Sequence, residues 1–322
     1  MRNKDLAERR TDKLIEEVEE KISKEYSLAL KEAKRKFNKY FKQFEKEDEA
    51  QKQKLKNWEI TEKDYKEWRT IHLYSTKRYK YLSENLAKDL TLIDKKVMSI
   101  TDGYLPEAYA LNFNYSTYDI ELNTQINTNF TLYSRETVEK ILKEEPDLLP
   151  KRKVDIPKDM RWNKQHIDSA ILQGVLQGDS IDSISYRLQK VTDMDRRAAV
   201  RNARTMMTGA QNGGRLDAMK RASDLGIGVK KEWMATLDSR TRDSHARLYG
   251  ERKDLDEPFS NGLMKPGDPN GNPEEVYNCR CTLVGYLPKY NNITTKRITY
   301  DEWVKNKEAN KRKKHENRKN RW

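Results

Sequence analysis

Val229-Lys230-Lys231-Glu232-Trp233-Met234-Ala235 and Cys281-Thr282-Leu283-Val284-Gly285-Tyr286-Leu287 are strand-like segments in a chain whose other apolar residues largely follow helical spacing. The stretch between them is rich in turn-forming pairs, Asn261-Gly262, Pro266-Gly267 and Asn270-Gly271. It starts with the polar series Thr236, Asp238, Arg240, Arg242 and His245 and ends at Asn278-Cys279-Arg280-Cys281, which holds the only two cysteines of the 322 residues. These features predict a small α+β module over residues 227–290.

Upstream the pattern is helical. Ile15, Val18, Ile22, Tyr26, Ala29, Ala33, Phe37, Phe41 and Phe44 recur at steps of three and four, giving one amphipathic helix from about Leu6 to Phe44, with Thr11 as an alternative internal start. Trp58 to Ile100 reads as helix again, with Thr61 and Asp64 spaced as a capping box and Tyr65, Trp68, Ile71, His72 and Tyr79 placed for packing. Thr101 to Pro106 is a turn, and Leu111 to Tyr133, rich in Asn, Thr and Tyr, is expected to be irregular or short strands. Ser134 caps a short helix that stops before Pro146, and residues 150–157 form a linker. Helices then follow over Asn163 to Leu176 and Ile181 to Leu188, and from Asp193 or Asp195 to about Ser223. The predicted class is mainly α: an elongated helical N-terminal region (1–150), a helical domain (151–226), the α+β module (227–290) and a basic C-terminal tail (291–322).

Composition narrows the function. Apolar residues make up 35% of the chain, below the usual share for a compact domain, so much of it is expected to be solvated or to need partners for burial. The formal charge of +13 is concentrated at the end, where residues 305–322 hold nine Lys or Arg against two Glu. Lys311, Arg312, Lys313, Lys314, Arg318, Lys319 and Arg321 are candidates for phosphate contact; aromatic interleaving is missing until Trp322, so base stacking is not indicated. The competing reading is a solvated terminus. No apolar run is long enough to span a bilayer, and Met1 to Asp5 leads into a charged helix, so neither membrane contact nor secretion is expected. Cysteines two apart make a poor disulfide, which points to reduced thiols in a cytoplasm.

Cys279 and Cys281 on extended backbone face the same side, and the Gly/Pro loop can return His245 as a third ligand, with Asp238 or Asp268 as an oxygen donor. That set suits a structural zinc; two reduced thiols packed in a small core are the alternative. Asp238 can equally cap a helix over Arg240 to Tyr249. No base stands beside a nucleophile, so no catalytic constellation is supported, although a metal-dependent nuclease or transferase centred on His245, Asp238 and the cysteines remains a rival. A DNA-binding coiled-coil protein using the tail is another.

Trp233-Met234-Ala235-Thr236-Leu237-Asp238-Ser239-Arg240-Thr241-Arg242-Asp243-Ser244-His245, then Pro266-Gly267-Asp268-Pro269, then Asn278-Cys279-Arg280-Cys281-Thr282 resembles the phage Mu F-like head morphogenesis proteins, the minor head proteins of tailed phages. The helix through Ala203 to Leu216 is similar to the one that precedes this module in the family, and the resemblance covers about Ala198 to Pro288. In many relatives the positions of Arg242 and His245 are both cysteines, which with the later pair implies a four-ligand site. Here Arg242 breaks that set, and a salt bridge from it to Asp238 or Asp268 is the expected substitute. The resemblance implies a low-copy virion protein of the head interior, assembled in the host cytoplasm. Its implied partners are the portal protein, capsid or scaffold proteins and phage double-stranded DNA, with which it could be ejected.

Overall fold

A computed structural model describes residues 4–74, 76–152, 154–290 and 298–319. The elements are α1 (Leu6–Lys56), α2 (Glu62–Tyr74), α3 (Lys77–Asp102), α4 (Leu105–Thr124), α5 (Arg135–Glu144), α6 (Ile156–Leu176), α7 (Ile181–Asp224), β1 (Lys230–Met234), α8 (Asp243–Arg247), β2 (Arg252–Lys253), α9 (Pro273–Val276), β3 (Thr282–Tyr286) and α10 (Tyr300–Lys319). The protein is therefore mainly α with a small α+β module. It divides into two compact units, one of Met1–Val18, Thr101–Lys151 and Arg201–Trp322, the other of Glu19–Ile100 and Arg152–Val200.

The second unit is all helical. Ile22, Tyr26, Phe37, Phe41 and Phe44 are buried, as the spacing along α1 requires. Helix α1 begins at Leu6, not at Thr11, and ends at Lys56; Trp58, expected within a helix, is exposed on a turn with a positive φ of 59°. The Thr61–Asp64 capping box forms as read, each backbone N–H bonding the other residue's side chain at 3.0 and 3.2 Å. Trp68 stacks on Phe44 at 5.3 Å. Arg69 is buried beside Asp48, donating to the Tyr65 hydroxyl at 2.9 Å and the Asp179 carbonyl at 3.0 Å.

The first unit is built on the β2-β1-β3 sheet, antiparallel throughout, with Trp233 paired to Leu283 across β1 and β3. Trp233 is fully buried among Met219, Leu248, Phe259, Leu263, Val276 and Leu283. The short strand β2 was not visible in the sequence. Lys231 is also fully buried; its amine donates to the Leu255 and Met264 carbonyls at 3.1 and 3.0 Å and so fixes the long loop, while burial lowers it to a pKa of about 8.

Leu111 to Tyr133 differs from the expectation of irregular chain. Helix α4 runs to Thr124, and only residues 125–134 are irregular, with left-handed backbone at Gln125 and Asn129. Asn and Thr are weak helix formers, but Tyr109, Phe113 and Ile120 are buried on this helix, and packing overrides propensity. Gly213 and Gly214 of α7 let that helix approach closely: a Cβ on Gly214 would lie 2.3 Å from the Tyr109 carbonyl oxygen. Helix α7 is also continuous from Ile181, with no new start at Asp193 or Asp195.

Candidate functional site

The outer edge of β3 sets the site. Thr208, Gln211, Asn212 and Arg215 lie at helical spacing on α7 and turn a buried polar stripe toward the chain from Cys279 to Leu283. Thr208 Oγ1 donates to the Cys279 carbonyl at 2.8 Å, and Gln211 Nε2 to Thr282 Oγ1 at 2.9 Å. Asn212 Nδ2 donates to the Cys281 carbonyl at 3.2 Å while its Oδ1 accepts from the Leu283 N–H at 2.8 Å. Arg215 reaches the Leu283 carbonyl at 3.1 Å. The helix thus supplies hydrogen bonds that a further strand would otherwise make.

So held, both cysteines face α8. Cys279 Sγ lies 3.6 Å and Cys281 Sγ 3.4 Å from His245 Nδ1, and all three residues are buried. On the other side of the ring, His245 Nε2 lies 2.9 Å from Glu275 Oε2, out of line for a full hydrogen bond. Glu275, at α9, also accepts from Ser244 Oγ at 3.0 Å and Asn261 Nδ2 at 3.3 Å. Burial pushes its carboxyl up, but the bonds from Asn261 and Ser244 and the nearby His245 ring outweigh this and leave it below its usual range. Between the thiols, Cys279 acts as donor and is raised, whereas Cys281 is lowered by that bond and by His245. The Trp233 indole N–H adds to the lowering; it has no full hydrogen-bond partner and acts on the sulfur as a looser dipole. A pair of soft donors, one inclined to thiolate, next to an oriented imidazole is a metal-ligand chemistry.

The remaining residues expected at the site scaffold it or lie outside it. Thr236 Oγ1 donates to the Arg280 carbonyl at 2.8 Å. Asp238 is not a helix N-cap: α8 starts only at Asp243, and Asp238 accepts from the Arg240 N–H at 2.9 Å and takes both Arg280 guanidinium nitrogens at 2.5 Å. Arg280 therefore makes the ion pair expected of Arg242, whose guanidinium instead donates to the Tyr277 carbonyl oxygen. Asp268 accepts from the Met264 and Asn270 N–H groups at 2.8 and 3.0 Å and shapes the loop. The Arg240 and Asn278 side chains are exposed; Asn278 contributes a turn, with φ of 54° and its N–H on Thr205 Oγ1 at 3.2 Å. Among the described residues His245, Cys279 and Cys281 are the one group arranged to hold a metal. Glu275, Ser244, Asn261 and the α7 stripe were missed; polar residues at 208, 211, 212 and 215 on a helix that must bury most of its surface were the available signal.

The basic tail is helical over Tyr300–Lys319. Helix α10 continues past Trp303 to Lys319, from a Thr299–Glu302 capping box. Tyr300 and Trp303 are buried against Tyr118, and Trp303 Nε1 and Lys307 Nζ bond Glu121 at 2.8 and 2.7 Å. Lys311 and Arg312 follow, exposed; Lys313, Lys314, Arg318 and Lys319 continue the helix, and Arg321 lies outside the described residues. Among the described residues no helix is long and apolar enough to cross a membrane.

Residues 165–284 match the family described as Phage Mu protein F like protein. The match begins in α6, well before Ala198, where the sequence offers amphipathic helix without a motif. The chain is similar to the minor head protein GP7 of Bacillus phage SPP1, 26% identical over 95% of this chain and 98% of that protein. It is also similar to the NAD(+)–arginine ADP-ribosyltransferase EFV of Enterococcus faecalis, 31% identical over 43% of this chain but only 31% of that protein. No solved structure matches. The end-to-end likeness is thus to a head protein, in line with a non-enzymatic reading. Over its sheet and the helices before it the chain is thus similar to the Phage Mu F-like proteins, and along nearly its whole length to a minor head protein.

Proposed function

We propose that this protein is a phage minor head protein that acts in head morphogenesis at the portal vertex, lies in the head interior, and contacts packaged double-stranded DNA through α10. The observation that carries the assembly role is the likeness to a minor head protein along nearly the whole chain. Portal contact is favoured by a chain with 35% apolar residues, which leaves burial for partners to supply. DNA contact is favoured by α10, whose root is anchored by Tyr300 and Trp303 while its basic continuation begins with exposed Lys311 and Arg312. A positive helix with a fixed root suits sequence-independent phosphate neutralisation.

Co-expression with the portal protein, capsid protein and scaffold is the test. A portal complex and incorporation into proheads are expected, and the lack of both would overturn the assembly reading. DNA binding is assayed separately: contact of seven basic residues with phosphate gives a log affinity against log salt slope of about −6. Removing residues 305–322 should flatten that slope without abolishing portal binding; an unchanged slope would remove α10 from the DNA contact.

A further inference from the structure

We propose that the protein binds one zinc ion through Cys279 Sγ, Cys281 Sγ and His245 Nδ1, with Glu275 holding the imidazole from behind and the fourth coordination position left to water. The three ligand atoms lie within 4.8 Å of one another and all three residues are buried. Tetrahedral zinc with Zn–S near 2.3 Å and Zn–N near 2.0–2.1 Å separates sulfur from nitrogen by about 3.6 Å. The separations here are 3.6 and 3.4 Å, so the pocket fits the ion with little movement. Two sulfurs and one imidazole select zinc over magnesium or calcium, which take oxygen ligands.

The outer groups make the assignment specific. Glu275 at 2.9 Å from Nε2 favours the proton on that nitrogen, so the Nδ1 lone pair is turned to the sulfurs. Ser244 and Asn261 hold the carboxylate, and Thr208 and Asn212 hold the carbonyls of Cys279 and Cys281. Arg242 is committed to the Tyr277 carbonyl, so three protein ligands remain. The ion would tie α8 to the chain entering β3, segments 34 and 36 residues apart.

The full chain, expressed with zinc and purified without chelator, is expected to hold about one zinc per chain. Its cobalt(II) form should show a thiolate-to-metal absorption band in the near ultraviolet. Glu275→Gln keeps every ligand and should weaken zinc about 10- to 100-fold in competition with a chromogenic chelator. Folded protein without zinc or the cobalt–thiolate band overturns the site, as does zinc retained in a Cys279→Ser/Cys281→Ser variant. If the double variant does not fold, Glu275→Gln decides: unchanged affinity overturns the proposed imidazole geometry.

Discussion

Asp195→Asn should stabilise the second unit at neutral pH. Asp195 on α7 is 7% exposed, its Oδ2 has no partner, and it faces Asp94 on α3 and Asp159 on α6, with Arg152 as the nearby cation. Asp94 already accepts from the Tyr26 hydroxyl of α1 and from Asn163 of α6. Burial, then the Asp94 charge, raises Asp195 from 3.8 to about 8. The folded chain therefore keeps a proton that the unfolded chain releases between those values, and stability falls as pH rises through that window. Holding the proton at pH 7 costs at most about 4 kcal/mol, at 1.36 kcal/mol per pH unit. Water entry and proton sharing with Asp94 reduce this to an expected gain of about 1–3 kcal/mol for Asp195→Asn. Urea unfolding of both proteins, followed by circular dichroism and by hydrogen exchange in α3 and α7, measures it. The difference should grow from about pH 4 to about pH 8. A difference that is flat across this range would refute the buried-proton account.

Gly214→Ala should destabilise the first unit by about 1–3 kcal/mol, because the added methyl meets the Tyr109 carbonyl rather than a movable side chain; an unchanged melting temperature would contradict the close approach of α7 to α4. Asn212→Leu leaves the Cys281 carbonyl and the Leu283 N–H without this partner, for a loss of about 2–4 kcal/mol in denaturant titration; hydrogen exchange at Leu283 no faster than in the parent would count against it. Arg280, followed by the Arg240 N–H, holds the Asp238 carboxyl well below its ordinary range. Its stabilising effect is present above the ordinary value of 3.8 and is lost as pH falls through the lower folded value. Melting curves of Asp238→Asn and the parent should accordingly converge only in strong acid, and a constant gap at every pH would show that the ion pair carries no linkage.

The legible parts of this fold were those with a local cause. The spacing of Ile22, Phe37 and Phe41 announced α1, Thr61 and Asp64 announced the start of α2, and the residues around Trp233 and Leu283 announced the paired strands. Helix α4 was hidden because its Asn and Thr side chains argue locally against helix, while burial of Tyr109 and Phe113 is a long-range effect. At the site, residue type and spacing nominated His245, Cys279 and Cys281, which the structure brings together. They could not tell which arginine meets Asp238, since Arg240, Arg242 and Arg280 are equivalent in type and only the turn at Asn278 aims Arg280 there. Glu275 was invisible for the same reason: nothing near it in sequence marks it as a partner of His245.

The side-chain pairing of α7 along β3 also bears on solubility. A three-stranded sheet has two borders where a neighbouring chain could add a strand, and crowding favours such addition. Here one border, β2, is only two residues long, and the other is occupied by Thr208, Asn212 and Arg215. Copies of the protein at high local concentration would find little backbone left to join at these borders, so the sheet is shielded from edge-to-edge aggregation by a helix rather than by charge.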